Sequence, residues 1–501
     1  MEARFVRGFW LTVWLGYSVI LGVAYAWLPA NPDQAIFDYA GWILCQGGRA
    51  YLDVAEQNFP GKMWLHATST ACFGNHFWSY RVFDYVLMLF ACSLLYRLLR
   101  RTAMGRYAWI VVPIYQSVYV TAGPWMVGTR DVLAAHCLLG AGLAHYLGSI
   151  RNPVRWNLLF GAASAVAILI RPTYGLFPVA IVLEGVVACL LGVRSWRKVI
   201  SAALAGAFAA IALLGAVATK MAGTGQLQEW YRLAVEYNLK VYSQNLSIAD
   251  ETRVIVGLLS SWHWYVAFAL GGAVMWFRSG ADRGLLRVPG MIALVVLASA
   301  YAQLKGFGYH LGGLLPVMAT LIAYCIFAAT RQLTVRRTMA RYLAVATIWS
   351  IVVIGLAKKQ ASQLYPQYAH LLGRNSQEEM MAAGGYEDTF EVARLVRQTT
   401  TPDETVLVWS RKLHINFLSQ RQSPTRFITV WMLNGMPESF DVGQAWIDEF
   451  VQAWRAKTPA AVVLDAEGAP GGLDVLGAQA PDRALDFLRS ELAAHYALEG
   501  K

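Results

Sequence analysis

Runs of about twenty predominantly apolar residues recur along most of this chain, and that is the length an α-helix needs to cross the hydrocarbon core of a bilayer. They fall at 9–29, 82–99, 107–125, 132–150, 157–170, 173–193, 200–219, 254–277, 288–304, 311–330 and 342–357, the fifth being the shortest. A chain of 501 residues that is 57% hydrophobic and only 15% charged cannot hide so much apolar surface inside soluble domains. The pattern predicts an all-α polytopic membrane bundle of about eleven transmembrane helices. The first run is wide, Trp-rich and without a small-residue cleavage site, so it reads as an uncleaved span and not as a signal peptide.

The formal net charge of +11 excludes less than it suggests. Lys and Arg form no basic stripe of the kind that binds nucleic acid; they sit in short clusters at the ends of apolar runs. These clusters are Arg4 and Arg7; Arg97, Arg100, Arg101 and Arg106; Arg151 and Arg155; Arg194, Arg197 and Lys198; Arg278, Arg283 and Arg287; and Arg331, Arg336, Arg337 and Arg341. By the positive-inside rule they face the cytoplasm, as does the N-terminus. The alternate loops, beginning at Ala30, Met126, Arg171, Lys220, Lys305 and Lys358, then face outward.

After Ala357 sustained apolar runs give way to acidic residues, Gln, Pro and short amphipathic segments. The chain therefore divides into a transmembrane domain, 1–357, and an extracytoplasmic domain, 358–501. Segments 405–409 and 460–465 read as buried strands, and 386–398, 442–454 and 483–496 carry helical periodicity, so the tail predicts a small α/β domain. Of the six cysteines only Cys45 and Cys72 lie where oxidation could join them, and a bridge between them is an open expectation. No Cys or His cluster has metal-site spacing, which leaves a metal unassigned and a divalent cation an open possibility.

The first outward loop, 30–80, carries the densest chemistry. Pro32 precedes Asp33, and Ile36, Ala40, Ile43 and Leu44 recur at helical spacing, which predicts an amphipathic helix along the outer membrane surface with Asp33 and Asp38 above the bilayer. Gly47–Gly48 stops it; Tyr51, Asp53 and Glu56 follow; Pro60–Gly61 opens a second segment that leads to His66.

An aspartate just after the first span, an aromatic-rich helix, a glycine pair, Tyr-x-Asp and Pro-Gly-Lys together resemble the C-type glycosyltransferases, which use polyprenyl-phosphate sugars as donors. The resemblance points toward bacterial relatives of protein O-mannosyltransferases and lipid A aminoarabinose transferase. It extends to Thr129–Arg130–Asp131, to Arg171–Pro172, and to the run from Lys305 to His310 with Pro316. Where many members have Asp-Glu after the first span, this chain has Asp33–Gln34. The resemblance implies a bacterial inner membrane, a polyprenyl-phosphate sugar donor, and an extracytoplasmic glycan, lipid or protein acceptor.

Hydropathy and basic clusters alone place Asp33, Asp131, Arg171, Lys305 and His310 at one membrane face. Glycosyl transfer from a lipid phosphate needs a carboxylate to take the acceptor's proton and cations to stabilise the departing phosphate. The expected roles are Asp33 as general base, Arg171, Lys305 and His310 on the donor phosphate, and Asp131, Asp53, Glu56 and Asp38 orienting sugar or acceptor. Plainer readings exist: Asp33 or Asp131 as helix caps, Arg171 snorkelling from a helix end, Lys305 and His310 anchoring their spans. Asp84 could pair with Arg81. Glu184, mid-run in the sixth span, supports an alternative, a secondary transporter or flippase. In the tail, His414 has no carboxylate nearby in sequence, which suggests acceptor binding or shielding from water, with no part in bond cleavage.

Single-cysteine accessibility labelling should find 97–106 and 331–341 cytoplasmic, and the positions of Asp33, Lys220 and the segment from Lys358 on the opposite side. A tail labelled from the cytoplasm overturns this topology.

Overall fold

The computed structural model of the protein describes residues 2–242, 246–279, 283–334, 339–383, 386–410, 412–428, 432–433, 440–464 and 483–497. Of the residues named above, Arg336, Arg337 and the last position of the second expected strand, Asp465, lie outside these. The chain is mostly helical and separates into two compact units.

The first unit comprises Met1–Leu28, Arg81–Thr219 and Gln244–Met380. Seven of its helices are long and apolar enough to cross a membrane: Ser79–Leu99, Arg130–Ile150, Pro153–Ile170, Pro172–Leu190, Trp196–Gly223, Leu285–Gln303 and Gly308–Arg331. A bent pair, Ile248–Ser261 and His263–Arg278, meets at 89° and makes eight if it counts as one span. This is a multi-pass membrane protein. The other expected runs are helical but different in kind. Segment 107–125 holds a 3₁₀ turn, Gly105–Ile110, and an α-helix of only ten residues, Val111–Val120. Thr12–Ala26 is a shorter apolar helix, and 342–357 lies within the helix Met339–Gln363. Among the described residues the long apolar spans thus number seven or eight, where hydropathy alone predicts about eleven.

Small residues let these helices meet. A Cβ at Gly161 would lie 2.0 Å from the carbonyl oxygen of Gly206, and one at Gly272 would lie 1.9 Å from that of Leu321. Close approach of this kind drives association in lipid, where apolar burial between helices gains little. The weak fifth run is a full helix, Pro153–Ile170, because Asn152 caps it by accepting the backbone N–H of Arg155. It ends at Arg171, whose backbone turns extended ahead of Pro172. A second interruption follows Gln303: Leu304 and Gly306 adopt positive φ and a 3₁₀ segment, Gly308–Leu314, leads into the next helix.

The second unit joins three segments distant in sequence: Pro29–Tyr80, Lys220–Ser243 and Met381–Lys501. The tail from Met381 falls in this unit, while 358–380 belongs to the first. The expected strands are β1, Val406–Trp409, and β2, Ala461–Leu464, paired in parallel with Val406 opposite Ala461 and Trp409 opposite Leu464. Helices Glu387–Thr399, His414–Ser419, Asp441–Ala456 and Arg483–His495 accompany them; Trp409, Phe450 and Trp454 pack as tilted pairs, and Phe487 meets Phe450 and Trp454 edge to face.

The loop helix Pro32–Cys45 departs from the expected surface-lying amphipathic helix. It is buried on every face from Gln34 to Ile43. Gly41 is the reason: a Cβ there would sit 2.6 Å from the backbone of His66 and Ala67, so the helix Pro60–Phe73 packs directly on it. The tail helix His414–Ser419 packs on it as well. Cys45 and Cys72 are both free, so the expected bridge is not present; the Cys45 thiol instead donates to the carbonyl of Ala67.

Candidate functional site

In the first unit the two helix interruptions bring four of the expected site residues together. Arg171, set at the break before Pro172, is 4% exposed, and its Nε lies 3.0 Å from Oδ1 of Asp131. Its Nη2 donates to Oε1 of Gln303 at 2.8 Å. Asp131 is not the cap of its helix: Thr129 occupies that position, and Asp131 follows in the first turn, fully buried. Among the described residues both Asp131 carboxylate oxygens and Arg171 Nε have no hydrogen-bond partner, the guanidinium and carboxylate meeting as an ion pair. Tyr174 Oη and His310 Nδ1 are buried in the same condition.

The loop from Lys305 to His310 closes on this group. Gly306 takes a φ of 67° and donates its N–H to Glu251 Oε2. A Cβ at Gly312 would meet Val132 at 2.7 Å, and one at Gly313 would meet the Tyr174 hydroxyl at 2.5 Å. Only glycine permits this approach. His310, 2% exposed, lies within electrostatic reach of Arg171, Arg130 and Lys305. Burial, then the neighbouring Arg130 and Arg171, pushes the Lys305 ammonium down to about 7.

Buried polar atoms without partners cost free energy, about 1–3 kcal/mol each. Several of them beside Arg130, Arg171 and Lys305, with Asp131 in their midst, describe a pocket suited to a polar, anionic group.

In the second unit Asp33 stands in the first turn of Pro32–Cys45. Asn31 is that helix's cap: it accepts the backbone N–H of Gln34, and the Gln34 side chain reaches back to the Asn31 N–H. Gln34 thus completes a capping box, and the half-buried Asp33 is relieved of that duty. Asp38 is fully engaged. His66 Nδ1 lies 2.7 Å from its Oδ1 and His414 Nε2 lies 2.8 Å from its Oδ2, all three side chains being buried. Burial opposes the charged carboxyl, but His66, by its proximity and hydrogen bond, and the hydrogen bond from His414 outweigh that and hold Asp38 well below its usual range. Burial first, and then the Lys62 ammonium, pushes His66 down to about 3, so Asp38 is a carboxylate between two hydrogen-bond donors.

The remaining loop acids serve their own turn. Asp53, exposed, pairs with Arg49 at 3.2 Å, and Glu56, buried, accepts the backbone N–H of Asn58. Lys62 of the Pro-Gly-Lys motif is buried over the Tyr80 ring and contacts its hydroxyl. Arg426 ties the unit together, bonding Glu449, Glu229 and the carbonyl of Tyr51. Local sequence hides the partners of His66 and His414: His414 does have a carboxylate partner, Asp38, 376 residues away. Asp84 accepts hydroxyls from Tyr25 and Tyr119, and Arg81 donates to the same Tyr25 hydroxyl. One other expectation changes: Glu184 pairs with Arg194 and Arg287, so it is no lone acid in mid-membrane. Among the described residues no group of three or more His, Cys, Asp or Glu could hold a metal ion.

Residues 57–221 match the family described as dolichyl-phosphate-mannose-protein mannosyltransferase. ArnT from Cupriavidus metallidurans bound to undecaprenyl phosphate shares the fold at a TM-score of 0.61 and 14% identity, over 97% of this chain and 95% of that one. Its apo form matches at 0.57 and 13% identity, over 92% and 93%. The chain resembles the C-type, polyprenyl-phosphate-sugar-dependent membrane glycosyltransferases. No curated protein matches it. The family match includes Asp131 and Arg171 and begins beyond Asp33, while the shared fold spans nearly the whole chain.

An anion held beside Lys305 favours its charged form, so anion binding takes up a proton. Inorganic phosphate, used as a probe of this pocket, should bind at full strength below about pH 7 and lose up to about tenfold in affinity per pH unit above it. Lys305→Arg stays charged and should remove that loss, and the ratio of the two proteins cancels the phosphate's own titration. Binding measured between pH 6 and pH 9 with the same slope in both proteins contradicts the role of Lys305.

Proposed function

We propose that this protein is a glycosyltransferase that moves a sugar from a polyprenyl-phosphate donor to a hydroxyl of an extracytoplasmic acceptor, with inversion at the anomeric carbon. The observation that carries this reading is the buried cluster of Arg171, Lys305, His310 and Asp131 at two helix breaks, cationic in sum and rich in polar atoms without partners. The family match and the shared fold support it; the ArnT of that comparison binds undecaprenyl phosphate.

In this reaction the acceptor oxygen attacks the anomeric carbon, its proton passes to the Asp33 carboxylate, and the sugar–phosphate C–O bond breaks with its electron pair leaving on the polyprenyl phosphate. Asp33 suits the role of base because it is half-buried and Asn31 does the capping. Arg171, Lys305 and His310 hold the departing phosphate, where preorganised cations in a site of low dielectric act most strongly. Asp131 steadies Arg171 and takes sugar hydroxyls with its open oxygens. Asp53, Glu56 and Asp38 shape the loop through Arg49, Asn58 and the two histidines, and so serve the acceptor indirectly.

In the same proposal the chain crosses a bacterial inner membrane about eleven times with its N-terminus cytoplasmic, and its 358–501 segment lies outside the cytoplasm. The transporter alternative rests on Glu184, and its pairing with Arg194 and Arg287 gives it a structural duty instead.

Asp33→Asn should leave a folded protein that still binds undecaprenyl phosphate but transfers sugar at least about a hundredfold more slowly. Arg171→Ala should weaken donor use strongly, and Arg171→Lys should recover only part of it because the planar fork is lost. Steady-state kinetics with a lipid-linked sugar checks both. Unchanged turnover in Asp33→Asn removes it as the base, and unchanged donor kinetics in Arg171→Ala makes that residue a helix anchor only.

A further inference from the structure

We infer that His414, far along the tail, is a positioning residue for the proposed transfer: through Asp38 it fixes the helix that carries Asp33. The inference rests on the reading of Asp33 as the base.

The geometry is closed and specific. Asp38 sits five residues beyond Asp33 on Pro32–Cys45, about 140° further round the helix, so it faces inward while Asp33 faces elsewhere. Its two oxygens take one imidazole N–H each: His66 from the neighbouring helix Pro60–Phe73 and His414 from the tail helix His414–Ser419. Two further tail contacts grip the same loop: the Ser423 N–H donates to the hydroxyl of Tyr39, and the Ala55 N–H donates to the carbonyl of Arg426. The Asp33 helix is therefore held on one side by its own loop and on the other by the tail.

A carboxylate buried between two rings is a poor choice for stability alone. Taking it out of water costs several kcal/mol, and apolar residues of similar volume are often as stabilising or more so. Directional hydrogen bonds to a buried charge supply something apolar packing does not, a single orientation of the helix that carries them. Positioning matters because displacing a catalytic group by about 1 Å can cost on the order of a hundredfold in rate. His66 adds a polar cost of its own: with Nδ1 donating to Asp38, its buried Nε2 has no partner among the described residues. That cost is retained within a network whose product is geometry.

The test uses the full-length protein in nanodiscs with His414→Phe and His414→Gln, Gln keeping an N–H donor near the position of Nε2. Turnover and donor KM are measured with undecaprenyl-phosphate-linked sugars, and hydrogen exchange is followed over 33–45. His414→Phe should be folded and inserted, lose about tenfold or more in kcat with little change in donor KM, and exchange faster in the first turns of Pro32–Cys45. His414→Gln should restore both to within about threefold of wild type. A double-mutant cycle with Asp38→Asn should be strongly non-additive in kcat. A folded His414→Phe with unchanged exchange in that helix overturns the inference, and so does equal loss in Phe and Gln variants that tracks global unfolding. Should the wild type transfer no sugar from any donor, the proposed function fails, and the exchange data still decide whether His414 fixes the helix.

Discussion

A polypeptide in hydrocarbon has no water to satisfy a broken helix, so irregular backbone survives there only where protein groups or a polar cavity take up the freed hydrogen bonds. This constraint underlies the first unit. Its helices are interrupted at Arg171–Gly175 and again at Leu304–Leu314, and these interruptions carry Arg171, Tyr174, Lys305 and His310. Pro172 makes the first break unavoidable, and Gly313 lets the second come up against Tyr174 of the first. The polar chemistry is concentrated where the helices fail.

Buried charge gives both units their character, in opposite ways. The Asp131–Arg171 contact is incomplete: the charges touch, yet neither carboxylate oxygen has a hydrogen bond among the described residues. Such a pair is expensive as architecture and well suited to accepting an anion and hydroxyls from a ligand. Asp38 is the converse, a carboxylate whose two oxygens are both occupied and which has nothing left to offer a substrate. Two aspartates that look alike in sequence are thus separated by their partners, one open toward chemistry and one closed into structure.

Hydropathy made most of the membrane helices legible, because a twenty-residue apolar run has few other uses. Segment 107–125 is less regular than its hydropathy suggests, a 3₁₀ turn followed by a ten-residue α-helix in which Tyr115 and Tyr119 are buried in protein. The cluster of Arg171, Asp131, Lys305 and His310 was legible because Pro and Gly beside a charge mark a helix break. The Asp38–His66–His414 network was not, since two of its members lie 376 residues apart and no periodicity reports such a contact. For the same reason Pro32–Cys45 looked like a half-exposed helix: its polar residues, Asp38 and Gln34, are satisfied inside the protein and not by water. Glu184 misled in the other direction, an acid in an apolar run whose two arginine partners come from different parts of the chain.

The account stands on the claim that a lipid-linked sugar is the donor. The direct measurement is to incubate the purified protein in nanodiscs with radiolabelled undecaprenyl-phosphate sugars and an extract of bacterial envelope acceptors, and to follow release of undecaprenyl phosphate together with label in the acceptor. The account predicts release that matches acceptor labelling one for one. Label that crosses the bilayer with the donor still intact, or the absence of both release and transfer across all donors, contradicts it.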